Sequence, residues 1–403
     1  MTSFLTRYKS HLGLLSLIFI AFISLGMPDG LLGVAWPSIQ YSFSVPIDSL
    51  GMLLIAGTSG YLISSFSSGP LTSRFGIGWV LAASCFLTGF GLIGYTLVPT
   101  WWGVVALGVV AGLGAGAIDS GLNTYVAGHF GEGLMQWLHA SYGIGVTLGP
   151  LVMTLGLTRF DTWRWGYAVV GTAQIALAAV FVLTLSVWKN KGECPEVKKT
   201  DQPSSPKTSV WETLKQPIVW LSILLFFLYC GAEGTMGYWT YSILTESRGI
   251  TPKIAGLWAG SYWAMFTIGR IAAGLYTRRV GNDNLVRFSL FAALIGAALL
   301  WWNPFGAASL PAVAITGLAI APIFPALVSG TSRRVSPRHA ANAIGMQMGS
   351  GGLGLALIPA LLGVLARRLS LEVIPVCLLV LFVLLLGLHT LSLHPGNDPV
   401  RPK

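Results

Sequence analysis

Charged side chains are scarce in this chain of 403 residues, where 24 Lys and Arg and 14 Asp and Glu make up only 9% of the sequence. Soluble domains contain about 25% charged residues. A water-soluble surface needs more charge than this, so the composition excludes a soluble globular protein. The four cysteines, Cys85, Cys194, Cys230 and Cys377, show no CxxC spacing, which argues against a disulfide framework or a zinc site.

Enzyme motifs are also missing from the sequence. It contains no Walker phosphate-binding loop, no HExxH metal motif and no nucleophile elbow. Glycine-rich stretches such as 112–116 lie inside apolar runs, where close helix packing explains them. We therefore predict that the protein is not an enzyme and that it needs neither a cofactor nor a metal.

Hydrophobic residues take the place of the missing charge, at 54% of the chain with a mean hydropathy of +0.71. Several uncharged stretches reach the roughly 20 residues that a helix needs to cross ~30 Å of hydrocarbon. We predict an all-α polytopic membrane protein with twelve transmembrane helices. The spans are expected at 12–38, 48–70, 76–98, 101–128, 133–158, 164–188, 217–245, 253–276, 284–303, 307–332, 339–366 and 371–393.

The segment 189–216 differs from its surroundings because it is rich in lysine and proline and has no long apolar run. We interpret it as a solvated linker between two six-helix bundles, residues 1–188 and 217–403. Most basic residues lie on the side that holds the linker and both termini. The positive-inside rule makes that side cytoplasmic, in the inner (plasma) membrane. Basic residues spread over alternate loops also argue against a nucleic-acid partner.

The two halves repeat each other. The segment Gly69-Pro-Leu-Thr-Ser-Arg74-Phe-Gly76 after the second span matches Gly274-Leu-Tyr-Thr-Arg-Arg279-Val-Gly281 after the eighth. The dipeptides Asp29-Gly30 and Glu233-Gly234 are separated by nearly the same number of residues as these two loop segments. Parallel repeats place a binding site at their interface near the membrane midplane, with access alternating between the two sides. The predicted gating residues are Gly69, Arg74, Gly76, Arg270, Gly274 and Arg279.

Ionisable residues inside the spans are few: Asp29, Asp119, Glu233 and Arg270, besides histidine. A charge at the bilayer centre costs at least ~2.5–3.5 kcal/mol, so such residues face a cavity or a partner. Desolvation favours the neutral form of a carboxyl group, as a proton carrier requires, and we predict that the three acids couple protons. The alternatives are a hydrated helix end for Asp29, a structural hydrogen bond for Asp119 and a fixed pairing for Glu233. For Arg270, closing helix ends is favoured over binding a solute.

Polar and aromatic side chains within the spans are the candidates for contact with a solute. Amides also serve as bridges between helices, and a lone histidine in an apolar helix is often only hydrogen-bonded. The predicted substrate-binding set is Asp29, Trp36, Asn123, His139, Tyr142, Glu233, Tyr238, Trp239, Tyr262, Asn342 and Gln347.

Over essentially its whole length the sequence resembles the major facilitator superfamily, through its twelve spans, basic linker and paired loops. Within that superfamily it resembles the fucose-permease-like branch of sugar–proton symporters. The motifs are Pro28-Asp29-Gly30, Gly-Ala-Ile-Asp119-Ser-Gly-Leu-Asn123, Leu138-His139-Ala-Ser-Tyr-Gly143, Gly-Ala-Glu233 and Ala321-Pro-Ile-Phe-Pro325. The resemblance implies coupling and substrate recognition by Asp29 and Asp119. The chain departs from the superfamily pattern at Ser73 and Arg278, where the loops usually carry an acid.

The expected function is therefore secondary active transport of a small polar solute, a sugar or related polyol, by alternating access and proton-coupled symport. Its partners would be the solute, protons and the lipid bilayer, and it would act as a monomer. The alternative is a proton-antiport exporter of drugs or amphipathic metabolites, because Gly145-Val-Thr-Leu-Gly149-Pro150 resembles a helix-5 motif of antiporters. A non-transporting sensor is less favoured, since the short linker leaves no room for an output domain.

Overall fold

The structure, a computed structural model, describes residues 12–129, 132–190 and 209–393. Within these ranges nearly all residues are helical and no strand occurs. Helices satisfy every backbone N–H and C=O inside the segment, which hydrocarbon surroundings demand. The predicted all-α fold is confirmed. Both termini and the middle of the predicted linker, residues 191–208, lie outside the described residues.

The first half contains six long helices, each within a few residues of its predicted span. They are α1 Leu12–Phe43, α2 Leu50–Phe75, α3 Ile77–Leu97, α4 Trp101–His129, α5 Glu132–Arg159 and α6 Trp163–Leu183. A single 3₁₀ turn, Ile47–Ser49, leads into α2, and a short helix, Leu185–Asn190, follows α6.

The second half also contains six long helices. They are α7 Pro217–Ser242, α8 Pro252–Val280, α9 Asn282–Trp302, α10 Ser309–Ile320, α11 Pro337–Arg368 and α12 Val373–Ser392. A π-helical turn, Ile243–Ser247, extends α7, and the short helices Ile323–Ser329 and Thr331–Val335 continue α10. The end of α9 follows the sequence: Asn303 takes a left-handed conformation with φ 39°, and Pro304 cannot continue the helix.

Eleven helices in the described ranges are long and apolar enough to cross a membrane. The remaining long helix, α8, is less apolar because it carries Arg270 together with small and polar residues. It still lies where a span was predicted, and it packs along α5 and α10 inside the bundle. Small and polar residues suit a helix whose neighbours are other helices, so α8 completes the set of twelve.

Helix pairing repeats between the halves. In the first half α1 packs on α5, α2 on α4 and α3 on α6; in the second half α7 packs on α11, α8 on α10 and α9 on α12. The halves meet through α5 and α8, α2 and α11, and α1 and α7. A rotation that exchanges the halves places the α5–α8 contact on the α11–α2 contact and the α1–α7 contact on itself. The bundle therefore has two-fold pseudo-symmetry.

The loops that carried the sequence repeat also match in conformation. Gly76 has φ 83° and Gly281 has φ 80°, values that favour glycine because it has no Cβ. The N–H of Gly76 bonds to the carbonyl of Thr72 and that of Gly281 to the carbonyl of Thr277, both at 2.9 Å. We call the side of the bundle that holds these two loops the linker face, and the other side the opposite face.

The described end of the linker is attached to α11. Its helix Val210–Leu214 buries Thr213 completely. The Thr213 hydroxyl lies 3.0 Å from Nδ1 of His339 and accepts a hydrogen bond from Nδ2 of Asn342 at 3.1 Å. The linker therefore continues into the second half as a docked helix at the linker face.

A buried arginine joins four helices of the second half at the opposite face. Arg248, just after α7, donates to both carboxylate oxygens of Glu372 before α12, at 2.9 and 2.7 Å. It also donates to Oγ of Ser309 at the start of α10 and to the carbonyl of Leu300 near the end of α9, each at 2.7 Å. These bonds hold the ends of the four helices together as one unit.

Candidate functional site

Asp29 lies near the middle of α1, which continues as a helix through Pro28. Proline has no N–H, so the carbonyl four residues earlier, that of Ser24, loses its helical donor. The side-chain amide of Gln174 in α6 donates to this carbonyl at 2.9 Å. Gln174 therefore repairs the hydrogen-bonding gap that Pro28 creates, and α1 stays helical beside its acid.

The Asp29 carboxylate is bound by a side chain of another helix. The hydroxyl of Tyr142 in α5 donates to it, with an O–O distance of 2.6 Å. Such a length is typical of a hydroxyl bonded to a charged carboxylate. Both side chains keep part of their surface accessible inside the bundle. The structure thus brings together two residues predicted to bind solute.

Glu233 lies in the middle of α7 and is also partly accessible. The buried hydroxyl of Tyr262 in α8 donates to the backbone carbonyl of Glu233 at 2.9 Å. The charge of Arg270, further along α8, acts on the Glu233 carboxylate. No carboxylate in the described ranges lies within 4.0 Å of an Arg270 nitrogen. The acid and the base are therefore neighbours without direct contact.

The three predicted acids share one electrostatic environment. The charges of Asp119 and Glu233 both act on Asp29, and the charge of Glu233 also acts on Tyr142, the partner of Asp29. Because α1 and α7 belong to different halves and contact each other, Asp29 and Glu233 face one region from its two sides. A change of charge on Asp119 or on Glu233 therefore alters the electrostatic environment of Asp29.

Asp119 is bonded within the first half. The hydroxyl of Tyr61 in α2 donates to it in a short hydrogen bond, and Nδ2 of Asn123 donates to its other oxygen at 2.8 Å. Tyr61 was missed at the sequence level, since nothing local to α2 indicates which helix it will face. The described residues hold no group of three His, Cys, Asp or Glu side chains arranged to bind a metal.

Two of the predicted aromatic contacts lie in the hydrophobic core. Trp36 has 0% exposure and its ring centre lies 5.8 Å from that of Trp101. Trp239 also has 0% exposure, and its indole N–H donates to the carbonyl of Pro359 at 3.0 Å. Tyr238 is nearly buried, but its hydroxyl is in electrostatic reach of Asp29 and Glu233. Of these three, only Tyr238 adjoins the acids.

The two predicted amides of α11 are bonded to neighbouring chain segments. Asn342 donates to Thr213 in the linker helix, as described above. Gln347 has 0% exposure and accepts a hydrogen bond from Thr331 at 3.0 Å. The structure does not bring either amide to Asp29, so their role as solute contacts gains no support.

The predicted gating residues of the two loops lie at the linker face. Gly69 and Arg74 near the end of α2 are exposed, as is Arg279 at the end of α8; Gly274 lies inside α8. The guanidinium of Arg74 is 5.3 Å from the ring centre of Phe75. Neither Arg74 nor Arg279 forms a salt bridge within the described ranges. Their part in gating stays a prediction.

The halves are closed against each other at the opposite face. A Cβ on Gly33 of α1 would overlap the carbonyl oxygen of Gly237 in α7, so only glycine allows this approach. Nη1 of Arg367, at the end of α11, lies 3.3 Å from the carboxylate of Asp48, before α2. Direct backbone contact and an ion pair therefore join the two halves on this side.

Toward the linker face, two glycines of α11 have open space beside them. A Cβ placed on Gly345 or Gly349, in the linker-face part of α11, would meet no atom within 4 Å. The side chain of His139, in the linker-face part of α5, is exposed. The contacts that join the halves thus lie toward the opposite face, and these three positions toward the linker face are not covered by the other half.

Two similar six-helix halves with carboxyl groups near their interface form the architecture of a membrane transporter. The model of the Major Facilitator Superfamily matches residues 18–359 and 221–402, which is more than half of the chain. The chain belongs to the Major Facilitator Superfamily. It is a multi-pass membrane transporter of small-molecule solutes and not an enzyme.

Three relatives match most of the chain at low identity. Bypass of stop codon protein 6 of Saccharomyces cerevisiae is 26% identical over 88% of this chain and 77% of its own length. Sodium-dependent glucose transporter 1A of Mus musculus is 25% identical over 86% of this chain and 88% of its own length. Glucose/mannose transporter GlcP of Bacillus subtilis is 21% identical over 85% of each protein. The fucose-permease-like branch is not singled out by these relatives and stays a prediction.

Among solved structures, a bacterial homologue of the human lysosomal transporter Spinster, in an inward-facing and occupied conformation, has a similar fold. The TM-score is 0.79 with 13% sequence identity, over 98% of this chain and 99% of that chain. At this identity the likeness concerns the fold alone.

Proposed function

We propose that this transporter carries a sugar or a related polyol together with protons, by alternating access and in the direction of uptake. The observation that carries the proposal is the hydrogen bond from Tyr142 to Asp29, at the interface of the two halves and in electrostatic reach of Glu233. A solute or a proton that binds this carboxylate is held by the first half and feels the charge of Glu233 in the second half.

Proton coupling follows from the surroundings of these carboxyl groups. An ionised carboxyl group in a membrane needs donors or a cation, whereas a protonated one does not. Asp29 has a donor in Tyr142, and Glu233 has the hydroxyl of Tyr229 beside it and the charge of Arg270 nearby without direct contact. Protonation and solute binding both change these contacts. The two events therefore influence each other's free energy, which is the thermodynamic basis of coupling.

The proposed solute class is supported by the relatives and by the chemistry of the site. Two of the relatives described above carry glucose in their names. A carboxylate and several tyrosine hydroxyls suit the hydroxyl groups of a sugar, and Tyr238 offers a ring face beside them. Four of the predicted solute-binding residues adjoin the acids or interact with residues next to the acids. They are His139, Tyr142, Glu233 and Asn123.

The positive-inside rule makes the linker face cytoplasmic, in the inner (plasma) membrane. The conformation described above is then inward-facing. Residues 1–188 and 217–403 would move as two units within a monomer, exchanging the closed contact at the opposite face for one at the linker face. The linker 189–216 would connect the two units.

Export by proton antiport remains the alternative. The motif that suggested it, Gly145 to Pro150 in α5, has a role in helix packing. A Cβ on Gly149 of α5 would lie 2.6 Å from the carbonyl oxygen of Met27 in α1. The glycine therefore permits α1 and α5 to approach, which a symporter also requires. Nothing in the site favours export over uptake.

The test is uptake of radiolabelled glucose by proteoliposomes under an imposed proton gradient, an imposed sodium gradient, or none. Glucose should accumulate inside the proteoliposomes under the proton gradient and not under the other two conditions. Glu233→Gln and Asp29→Asn should lose accumulation under the gradient. Glu246→Gln removes an exposed carboxylate just beyond α7 and should behave as the wild type.

Three other outcomes would each refute one part of the proposal. Accumulation driven by sodium alone would replace the proton as the coupling ion. Full accumulation in both acid variants would show that neither carboxyl group couples. Proton-driven efflux of amphipathic compounds, without a response to glucose, would establish the exporter.

A further inference from the structure

Arg270 is a cation in the membrane-spanning part of α8 whose donors are not filled. Its Nε is buried and has no hydrogen-bond partner among the described residues. Its guanidinium group lies 4.2 Å from the ring centre of Phe266, a cation–π contact that leaves the N–H donors unused. A guanidinium group has five N–H donors and retains its charge in proteins. An anion is therefore the ligand that this side chain lacks.

A second basic side chain lies level with Arg270 on the other half. Helices α5 and α8 run antiparallel, and one register accounts for two of their contacts. A Cβ on Gly260 would lie 3.6 Å from Cβ of Pro150, and a Cβ on Gly143 would lie 2.6 Å from Oγ1 of Thr267. The contact between the helices therefore continues from the opposite face to about the level of Thr267.

The same register, continued by one turn toward the linker face, places Arg270 opposite Ala140 and beside His139. The charge of Arg270 acts on His139, which agrees with this placement. The His139 side chain is exposed, and its ring meets Phe22 of α1 edge-on at 6.0 Å. The two side chains thus lie one turn beyond the Gly143–Thr267 contact, toward the linker face.

We propose that Arg270 and His139 form an anion-binding subsite that takes the carboxylate of an acidic sugar, a uronate or an aldonate. The planar guanidinium matches a carboxylate with two parallel hydrogen bonds, and a neutral imidazole adds one N–H donor. This inference rests on the proposed function and narrows its substrate class from sugars in general to sugar acids.

Glu233 gives the subsite a link to protons. The Glu233 carboxylate shares the neighbourhood of Arg270, so it competes with a solute carboxylate for the same guanidinium. A proton on Glu233 removes that competitor. The acidic solute and the proton then bind together, and the pair carries no net charge.

Binding of two matched ligands tests the subsite. The full-length transporter in lipid nanodiscs is titrated by calorimetry with D-glucuronate and with its neutral methyl ester. The wild type should bind the acid at least about tenfold more tightly, as expected for a hydrogen-bonded charge pair. Arg270→Gln should abolish the preference without changing affinity for the ester. Lys253→Gln, an exposed change at the other end of α8, should preserve the preference.

Conservative variants separate recognition from folding. Arg270→Lys keeps the charge but not the planar fork, so the preference should fall severalfold with ester affinity unchanged. If Arg270→Gln does not fold, the preference of Arg270→Lys provides the test. His139→Gln keeps an N–H donor and should retain more of the preference than His139→Phe.

The proposal is overturned if the wild type binds the acid no better than the ester, including the case in which neither binds. It is also overturned if Arg270→Gln keeps the preference. Proton-driven glucose uptake without a preference for the acid would refute the anion-binding subsite and leave the proposed function in place. An Arg270-dependent preference without any proton-driven uptake would remove proton symport and leave the subsite standing.

Discussion

Replacing Arg248 by alanine should destabilise the second half of the transporter more than any other single arginine truncation at the opposite face. The side chain is only 6% exposed, and it makes four hydrogen bonds that join α7, α9, α10 and α12. Removing it leaves the Ser309 hydroxyl and the Leu300 carbonyl without this donor, and leaves the Glu372 carboxylate with the Ser247 hydroxyl as its remaining donor. The ends of four helices lose their common contact.

The magnitude follows from the exposure of the partners. Removing one member of a buried ion pair costs about 3–5 kcal/mol, mainly because the other charge is left buried. The Glu372 side chain is 39% exposed and can be rehydrated, so the lower end, about 3 kcal/mol, applies to Arg248→Ala. Glu372→Gln keeps the shape and some hydrogen bonds, and it should cost only about 1 kcal/mol.

The pH dependence of this contribution has a definite sign. Burial opposes ionisation of Glu372, but hydrogen bonds from Arg248 and Ser247 and the charge of Arg248 outweigh it, and the pKa of Glu372 lies below its ordinary value. A depressed carboxyl pKa stabilises the folded protein fully above the unfolded-state pKa, about 4.3. That stability is lost as pH falls through the folded-state pKa.

The assay is thermal unfolding in detergent, followed with a thiol-reactive dye, because Cys85 and Cys230 are buried in the folded protein. The unfolding temperature should fall in the order wild type, Glu372→Gln, Arg248→Ala. The gap between wild type and Glu372→Gln should be constant above about pH 5 and should narrow below pH 4. The control is Arg368→Ala, an exposed arginine without a salt bridge in the described ranges. If Arg248→Ala were no less stable than this control, the reasoning would be refuted.

Three further predictions concern the contacts of the two halves and of Asp29. Tyr142→Phe removes the donor to Asp29 and should weaken solute binding by about 1.5–3 kcal/mol, measured by calorimetry; unchanged affinity would show that the donor is dispensable. Gly33→Val cannot fit against α7 and should reduce uptake by at least about tenfold, with folding checked by size-exclusion chromatography; wild-type uptake would contradict closure at that contact. Asp48→Asn breaks an ion pair whose Arg367 side chain is 57% exposed, so unfolding should change by no more than about 1 kcal/mol; a larger loss would show that the pair is shielded from water.

Local features of the sequence determined the helices of this protein. The scarcity of charge and the positions of glycine and proline predicted the spans, and Asn303-Pro304 ends α9 where expected. The loop repeat reappears as matched φ values at Gly76 and Gly281. These features could be predicted because helix formation in a membrane depends on hydropathy and backbone bonding within about 20 residues.

The partners of the polar side chains were decided by tertiary structure alone. Tyr142 reaches Asp29 across 113 residues of sequence, and Tyr61 reaches Asp119 across 58. Asn342 had the same polar character at the sequence level, yet it bonds to the linker helix instead. A helix presents side chains all around its axis, and only the packing of twelve helices determines which of them meet. The side on which the halves contact each other through Gly33 and Asp48 depends on the same packing, and no local stretch of sequence encodes it.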